Sequence, residues 1–389
     1  MMLLFTFCVL INICINSNPE ELMTTMEMAE YWGYPVEGHV VTTVDGYVLK
    51  IYRVPGKQGE SLEVAKAKKR PPVILQHGLI CSSDQFLDAG ALSIVYAMAD
   101  AGYDVWIPNI RGNRYSRDHL FLDYDDNNYW NYTFEDMALK DQKTYWEYIM
   151  KTTGYEKLGF VAHSQGTTQM FIALIYDPDY YVKHLAAFIA QSPVADLTHT
   201  RSKPLSMSAS IDLPALADKY GIHVMFPYKS MMAGAYAKVC TIVPLLCNFA
   251  IEMIADDEPN YDSKERMPVL MSHYPSGSGS KNYEHIVQLV KYGFVRYRNN
   301  DSVPLEYYDL SKMPKSINIA LMVGSSDKLA TEVDSRNLRD KMIANGQLTF
   351  YKEYPHMGHL TFLLPTVATM DYVVDTLAFL KTYYTPGRK

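Results

Sequence analysis

The tightest constraint in this chain is the stretch 158–176, in which an apolar segment, a sharp polar turn and a second apolar segment follow one another directly. Residues 158–162 have the length of a buried strand. Residues 166–175 carry Met170, Phe171, Ala173, Leu174 and Ile175, as a core-facing helix does. Between the two sits Ser164, with Ala162 two residues before it and Gly166 two after. A strand that turns straight into a helix needs small residues at those positions, and the turn holds the serine oxygen out at the top of a sheet. A serine hydroxyl is a weak nucleophile at neutral pH. It needs a base, and an acid to orient that base, from elsewhere in the chain.

The flanking sequence has the rhythm of a parallel sheet. Apolar strand-length runs at 72–76, 103–107, 185–190, 317–323 and 348–354 alternate with helical patterns at 92–101 and 134–153, the latter stopped by Gly154. Strands alternating with helices of this length imply helices on both faces of a mostly parallel sheet. Residues 39–44 and 47–54 flank Asp45-Gly46 and read as a hairpin. The connection 55–71 is polar and Lys-rich, and reads as disordered at its centre. Its basic cluster, Lys66, Lys68, Lys69 and Arg70, reads as a solvated loop. From about 195 to 298 short helical pieces are broken by Pro204, Pro214, Pro227, Pro244, Pro259, Pro268 and Pro275, and no strand–helix repeat is visible. This is the pattern of a mainly helical cap, 196–300, inserted into a core made of 18–195 and 301–389. Residues 359–384 read as the closing helix.

The chain has 389 residues and a formal net charge of -7, which argues against a nucleic-acid binder. Residues 1–15 are apolar and uncharged but too short to span a bilayer, which takes about 20 residues. They fit the core of a signal peptide comprising 1–17. No later run is long and charge-free enough for a transmembrane helix. Without the leader, Cys81, Cys240 and Cys247 remain. Cys240 and Cys247 can close a small loop in an oxidising compartment, leaving Cys81 free. On one helix these two would lie about 10 Å apart, beyond disulfide reach, so the bridge requires a break, and Pro244 supplies one. Asn131-Tyr-Thr and Asn300-Asp-Ser are glycosylation sequons if the chain is secreted.

In enzymes built on such a strand–turn–helix, the acid and then the base follow the serine in sequence. Asp327 lies in Gly324-Ser-Ser-Asp-Lys, directly after the 317–323 strand, and strand carboxyl ends are where an open α/β sheet places its chemistry. His359 lies in Pro355-His-Met-Gly-His-Leu, after the 348–354 strand. His359 would take the Ser164 proton while Asp327 holds the imidazole. Asp334 is a rival acid, although inside a helical pattern, and His356 competes with His359 as the base. An oxyanion requires N–H donors. The first expected donor is the backbone N–H of Gln165 at the helix N-terminus. The second comes from His77-Gly78-Leu79 after the 72–76 strand, with the Leu79 N–H favoured. No metal-ligand spacing and no phosphate loop is present, so neither a metal nor a cofactor is expected.

Thr43-Val-Asp-Gly-Tyr, His77-Gly-Leu, Ala101-Gly-Tyr-Asp-Val-Trp, Arg111-Gly-Asn, His163-Ser-Gln-Gly-Thr-Thr and Gly358-His-Leu together are highly specific. With these motifs the chain resembles the acid lipase family of α/β-hydrolases, the animal gastric and lysosomal lipases, over about 34–379. The resemblance implies an α/β-hydrolase fold with a lid-bearing cap, hydrolysis of triglycerides or steryl esters at a lipid–water interface, no cofactor, N-glycosylation, and a secreted or lysosomal location. It also implies Ser164, Asp327 and His359 as the triad, and Leu79 with Gln165 as oxyanion donors. The chain departs from the family pattern at Ala162 for an elbow glycine, Ile110 for a serine, Thr361 for an aspartate, and in a longer 55–71 linker. The cap is its least similar region. A carboxylesterase or thioesterase acting on shorter esters is the rival enzyme reading. A lipid carrier without turnover is the rival from another class, and its signature would be a missing triad residue.

Overall fold

The computed structural model describes residues 18–384; the leader reading of 1–17 lies outside the described residues. A nine-stranded sheet organises the chain. In chain order its strands are β1 (Glu37–Thr42), β2 (Tyr47–Val54), β3 (Pro72–Gln76), β4 (Asp104–Pro108), β5 (Asp118–His119), β6 (Leu158–His163) and β7 (Leu185–Gln191), and two more near the C-terminus described below. A separate two-stranded ribbon is formed by β8 (Val224–Met225) and β9 (Ser278–Gly279). The large sheet is completed by β10 (Asn318–Gly324) and β11 (Phe350–Tyr354). Its order is β1-β2-β4-β3-β6-β7-β10-β11, with β5 on β2. β1 and β4 pair antiparallel to β2, and from β4 to β11 all neighbours are parallel.

The strands are apolar on both faces because both faces are covered. Ile74, Trp106, Phe160, Phe188 and Leu321 point into one core with Phe134, Trp146, Phe171 and Ile172 of the helices on that side. Their strand neighbours Val73, Leu75, Val105, Val161, Ile189 and Met322 point the other way, onto Val95, Met98, Tyr372 and Leu380. This period of two within continuous apolar runs explains why no polar face was legible in the sequence.

Two expectations are corrected. The centre of the 55–71 connection is ordered as a helix, Leu62–Ala67, with Ser61 accepting from Val64 N and Ala65 buried. Its cluster of basic residues is paired, Lys66 with Glu37 at 2.8 Å and both Lys68 and Arg70 with Glu60. The closing helix is Asp371–Tyr383, and 359–370 form turns and a short 3-10 helix, Val367–Thr369, instead, because Pro365 breaks the run. The segment between β7 and β10 is mainly helical, yet it contains the β8–β9 ribbon. The helical pattern at 134–153 also contains a π-helical turn, Met137–Asp141, whose Asp141 turns inward to bind the buried Arg111 through Nε at 2.8 Å.

The helices between β7 and β10 pack over the carboxyl ends of the strands. Arg266 binds Glu20 and the Asp88 carbonyl, and His273 Nδ1 lies 2.6 Å from Asp88 Oδ1. Helices Ser230–Ile242 and Pro244–Ile254 form a bent hairpin at 114°. Across the bend a disulfide joins Cys240 to Cys247, with Cα atoms 5.3 Å apart where a continuous helix would hold them too far. Among the described residues no single helix is long and apolar enough to cross a membrane.

Candidate active site

Ser164 follows β6 directly and precedes the helix Gln165–Tyr176. Its backbone lies at φ 55°, ψ -127°, a strained conformation for a residue with a side chain. The strain is held from several sides. Ser164 N donates to Gln191 O of β7 at 3.1 Å, and Ser164 O accepts from both Thr167 N and Thr167 Oγ1. Gly166 allows the helix to start against β3, since a Cβ there would lie 2.7 Å from Gln76 O and 2.9 Å from His77 O. Ala162 sits between Gln76 and Ala190 in the sheet and is fully buried, so its methyl is accommodated.

The strand ends bring Ser164, His359 and Asp327 together. His359 Nε2 lies 2.9 Å from Ser164 Oγ, and His359 Nδ1 lies 2.9 Å from Asp327 Oδ2. Asp327 is fully buried, and its Oδ1 accepts from Leu329 N and Ala330 N at 2.8 Å each. This leaves Oδ2 for the imidazole. The geometry fits an Nδ1–H donated to Asp327, with Nε2 facing the serine hydroxyl. The rivals are engaged elsewhere. Asp334 binds the His199 ring at 2.6 Å and Thr331 within its own helix cap. His356 Nδ1 lies 2.8 Å from Glu258 Oε2, and its ring stacks on Tyr261.

His163 backs His359. Its ring Nε2 donates to the His359 carbonyl at 2.9 Å, and burial, then the nearby His359, hold its pKa well below the usual histidine range. It is therefore a neutral donor.

The 77–79 loop lies against Ser164. A Cβ on Gly78 would lie 3.0 Å from Ser164 Cβ and 3.4 Å from Ser164 Oγ. The loop is set by His77, which is wholly buried. Its Nδ1 donates to Gly78 O at 3.0 Å, while Nε2 accepts from Ile110 N at 3.3 Å and Asn113 Nδ2 at 3.2 Å. Burial pushes the His77 pKa down to about 4, so the ring is neutral and can accept. Only the backbone of Ile110 is used, which explains why an apolar side chain is tolerated there. The Gln165 N–H opens its helix and has no intrahelical acceptor.

Other sequence candidates lie apart from this cluster. Asn131 and Asn300 are exposed, and Asn131 Oδ1 accepts from Lys281. Cys81 is free and buried, its Sγ against the Tyr274 hydroxyl. Among the described residues no group of His, Cys, Asp and Glu has the arrangement of a metal site. Sequence reasoning missed Asn282, which accepts from Gln165 Nε2 at 3.0 Å, and the acidic residues Asp256, Glu258 and Asp262. All four lie in the least patterned part of the chain.

Two family models match, one described as a partial alpha/beta-hydrolase lipase region over residues 25–90 and one as the alpha/beta hydrolase fold over 71–220. Lipase member K of Homo sapiens is 32% identical over 381 residues, covering 95% of this chain and 93% of that protein. Gastric triacylglycerol lipase of Rattus norvegicus is 33% identical over 377 residues, covering 93% of each. Among solved structures, a thermostable carboxyl esterase from Bacillus coagulans superposes with a TM-score of 0.54 at 12% identity, covering 90% of this chain and 99% of that one. Epoxide hydrolase VrEH1 from Vigna radiata gives 0.53 at 13% identity, covering 93% and 100%. The solved structures share the fold, and the sequence relatives extend over nearly the whole chain. The chain belongs to the acid lipase family, carboxylic ester hydrolases on the α/β-hydrolase fold.

Proposed function

We propose that this protein is a serine lipase that cleaves triglycerides or steryl esters at a lipid–water interface, with Ser164, His359 and Asp327 as its triad. The observation that carries the reading is the continuous chain from Ser164 Oγ through His359 to buried Asp327, with both contacts at 2.9 Å, on a strained elbow. Ser164 Oγ attacks the ester carbonyl as His359 Nε2 takes its proton. The carbonyl oxygen gains negative charge and is met by the N–H groups of Gln165 and Leu79. His359 then gives the proton to the departing alcohol, leaving an acyl-enzyme. Water attacks the acyl carbon, delivers its own proton to His359, and the fatty acid leaves as Ser164 regains a proton.

The segment between β7 and β10 acts in this reading as a cap for the acyl chain. A mainly apolar cavity of about 340 Å³ is lined by Phe226, Pro227, Met232, Tyr236, Tyr274 and Pro275, with Lys229 as its one charged neighbour among the described residues. Tyr274 touches Cys81, two residues beyond Leu79, which puts this cavity beside the loop expected to hold the oxyanion. The bent hairpin exposes Met231, Leu245, Leu246 and Phe249, with Leu245 80% exposed, as a surface meeting lipid would. The disulfide and the exposed sequons at Asn131 and Asn300 support passage through the secretory pathway, to a secreted or lysosomal destination.

The test is an assay of the purified protein on esters of increasing acyl length from pH 4 to 8, beside Ser164→Ala, Asp327→Asn and Asp334→Asn. Long-chain turnover should vanish with Ser164→Ala and fall by ~10⁴ in kcat with Asp327→Asn, which leaves the imidazole in the wrong tautomer. Asp334→Asn should stay within about threefold. A short-chain optimum would make the protein an esterase. Lipid binding with no turnover in any variant would reject the catalytic reading.

A further inference from the structure

The segment Ala255 to Asp262 leaves the helical insertion and crosses both loops that bear the acid and the base. Its backbone pairs with the acid loop: Asp257 N donates to Ser326 O at 2.8 Å and Lys328 N to Ala255 O at 2.7 Å, with Asp256 opposite Asp327. Its side chains then reach the base loop. Asp256 Oδ1 accepts the backbone N–H of His359, and both Asp256 oxygens lie within 3.3 Å of Leu360 N. Glu258 joins the loops from outside, with Oε1 2.9 Å from Ser326 Oγ and Oε2 2.8 Å from His356 Nδ1. Asp262 Oδ1 accepts from Thr361 Oγ1 at 2.6 Å, and Thr361 Oγ1 accepts from Gly358 N at 2.9 Å. The fit is close enough to require glycine at 358, where a Cβ would overlap the Asp256 carboxyl.

We infer that this acidic strap is a positioning element of the catalytic site: Asp256, braced by Asp262, sets the backbone of His359 against Asp327 and Ser164, and so couples the insertion to proton transfer. The inference rests on the triad reading given above. Neither aspartate touches the expected substrate position, and each acts through His359.

The charge on the strap follows from its surroundings. Asp256 is fully buried and Asp262 nearly so. Asp256 faces Asp262 on the strap itself and Asp327 on the acid loop, and on the base loop it meets the backbone of His359 and Leu360. The cations nearby, Lys328 and Arg201, are paired with Asp257. Burial, then the two neighbouring carboxylates, hold Asp256 well above the usual carboxylate range, and burial pushes Asp262 up to about 6. Asp262 Oδ2 lacks a fixed protein donor, and the neighbouring Asp256 carboxyl, when protonated, can donate to Asp262. The pair thus holds its protons at acidic pH and shares one near neutrality. Losing that last proton would set two buried carboxylates against Asp327.

The test uses full-length protein, with active sites counted by a fluorophosphonate that labels the nucleophilic serine, and kcat and KM measured on a soluble ester across pH. Asp256→Ala should lower kcat per labelled site by about tenfold to a hundredfold with KM little changed, as expected for a displaced base. Asp256→Asn keeps the acceptor for His359 N and carries a permanent donor toward Asp262. It should restore kcat to within about threefold and carry the alkaline limb of the profile to higher pH. Gly358→Ala, which displaces the carboxyl without removing it, should resemble Asp256→Ala. An unchanged kcat per labelled site in Asp256→Ala, or an Asp256→Asn profile that coincides with wild type, overturns the inference. Ser164→Ala is run in parallel: if it keeps wild-type turnover, the triad reading fails and the strap with it. If it is inactive while Asp256→Ala is unaffected, only the strap fails.

Discussion

Gln165, the residue directly after the proposed nucleophile, donates from Nε2 to Asn282 Oδ1 at 3.0 Å, and Asn282 is held in turn by donating to Ser278 Oγ at 3.0 Å. Gln165 and Asn282 are both buried. The first turn of the elbow helix is therefore tied to the helix Ser280–Tyr292 of the insertion.

Replacing Asn282 with Leu leaves the Gln165 amide buried without its acceptor, at a cost of about 1–3 kcal/mol. The expected result is a lower Tm together with a reduced kcat, because the Gln165 N–H belongs to the proposed oxyanion site. Thermal unfolding and initial rates on a soluble ester check both. A lower Tm with kcat unchanged would mean that the amide pair only holds the insertion in place.

What the sequence makes legible is what is local. Strand length, small flanking residues and helical period all fall within 158–176, so the elbow is readable from one window. Asp327 and His359 are readable because each follows a strand-length apolar run. The strap is not readable, since Asp256, Glu258 and Asp262 stand in a proline-broken segment and look like ordinary surface acids. Their partners at Ser326 and 356–361 lie far away in sequence, and no period links them. The stretch 359–370 reads as helix for a related reason. Leu360, Phe362, Leu363 and Leu364 have helical spacing, but they pack around the His359 loop, and Pro365 ends any helix. In the 55–71 connection, charge suggested disorder, whereas ion pairs to Glu37 and Glu60 neutralise it.

The elbow gives a paired prediction. Gly166→Ala drives a Cβ into the carbonyls of Gln76 and His77, which are backbone and cannot rotate away. Overpacking of this kind costs about 1–3 kcal/mol and should misplace Ser164. Ala162→Gly removes one methyl from a packed sheet position and should cost about 1 kcal/mol of stability while preserving turnover. Urea unfolding and rates on one ester separate them. Equal activity losses in the two variants would contradict the geometry.

The hairpin predicts a dependence on the form of the substrate. Leu245→Glu with Leu246→Glu removes two exposed leucines whose burial in lipid is worth about 1.5–3 kcal/mol each, so adsorption should weaken by more than about tenfold. Turnover of an emulsified long-chain triglyceride should fall accordingly, and turnover of a dissolved short ester should not. If both fall equally, the hairpin serves the fold rather than the interface.

His285 predicts how stability responds to acid. Its ring is buried, stacked on Phe134 with centroids 3.8 Å apart, and Nε2 donates to Val295 O at 2.9 Å. Burial depresses its pKa to about 3. As pH falls below about 6.5 the unfolded chain takes a proton that the fold refuses, so stability is lost at up to about 1.4 kcal/mol per pH unit from this group. Asp262 has the opposite sign: raised to about 6, its contribution is present at low pH and is lost as pH rises from about 4 to 6. His285→Gln should therefore flatten the fall in Tm between pH 6.5 and 4, measured by calorimetry. An unchanged slope would mean the ring gains its proton within the fold.

The strands β7 and β10 are hydrogen-bonded neighbours although the whole helical insertion lies between them in the chain. The insertion thus occupies a single crossover between two neighbouring parallel strands, and it resembles a cassette that could be exchanged with that of a related enzyme to change acyl preference. Ala255 to Asp262 and Asn282 argue against a seam at the sheet, because a foreign cassette would take away the residues that hold the base loop and Gln165. A seam at Lys203 and Ile254 would instead carry the stapled hairpin and leave the strap and Asn282 with the core that they serve.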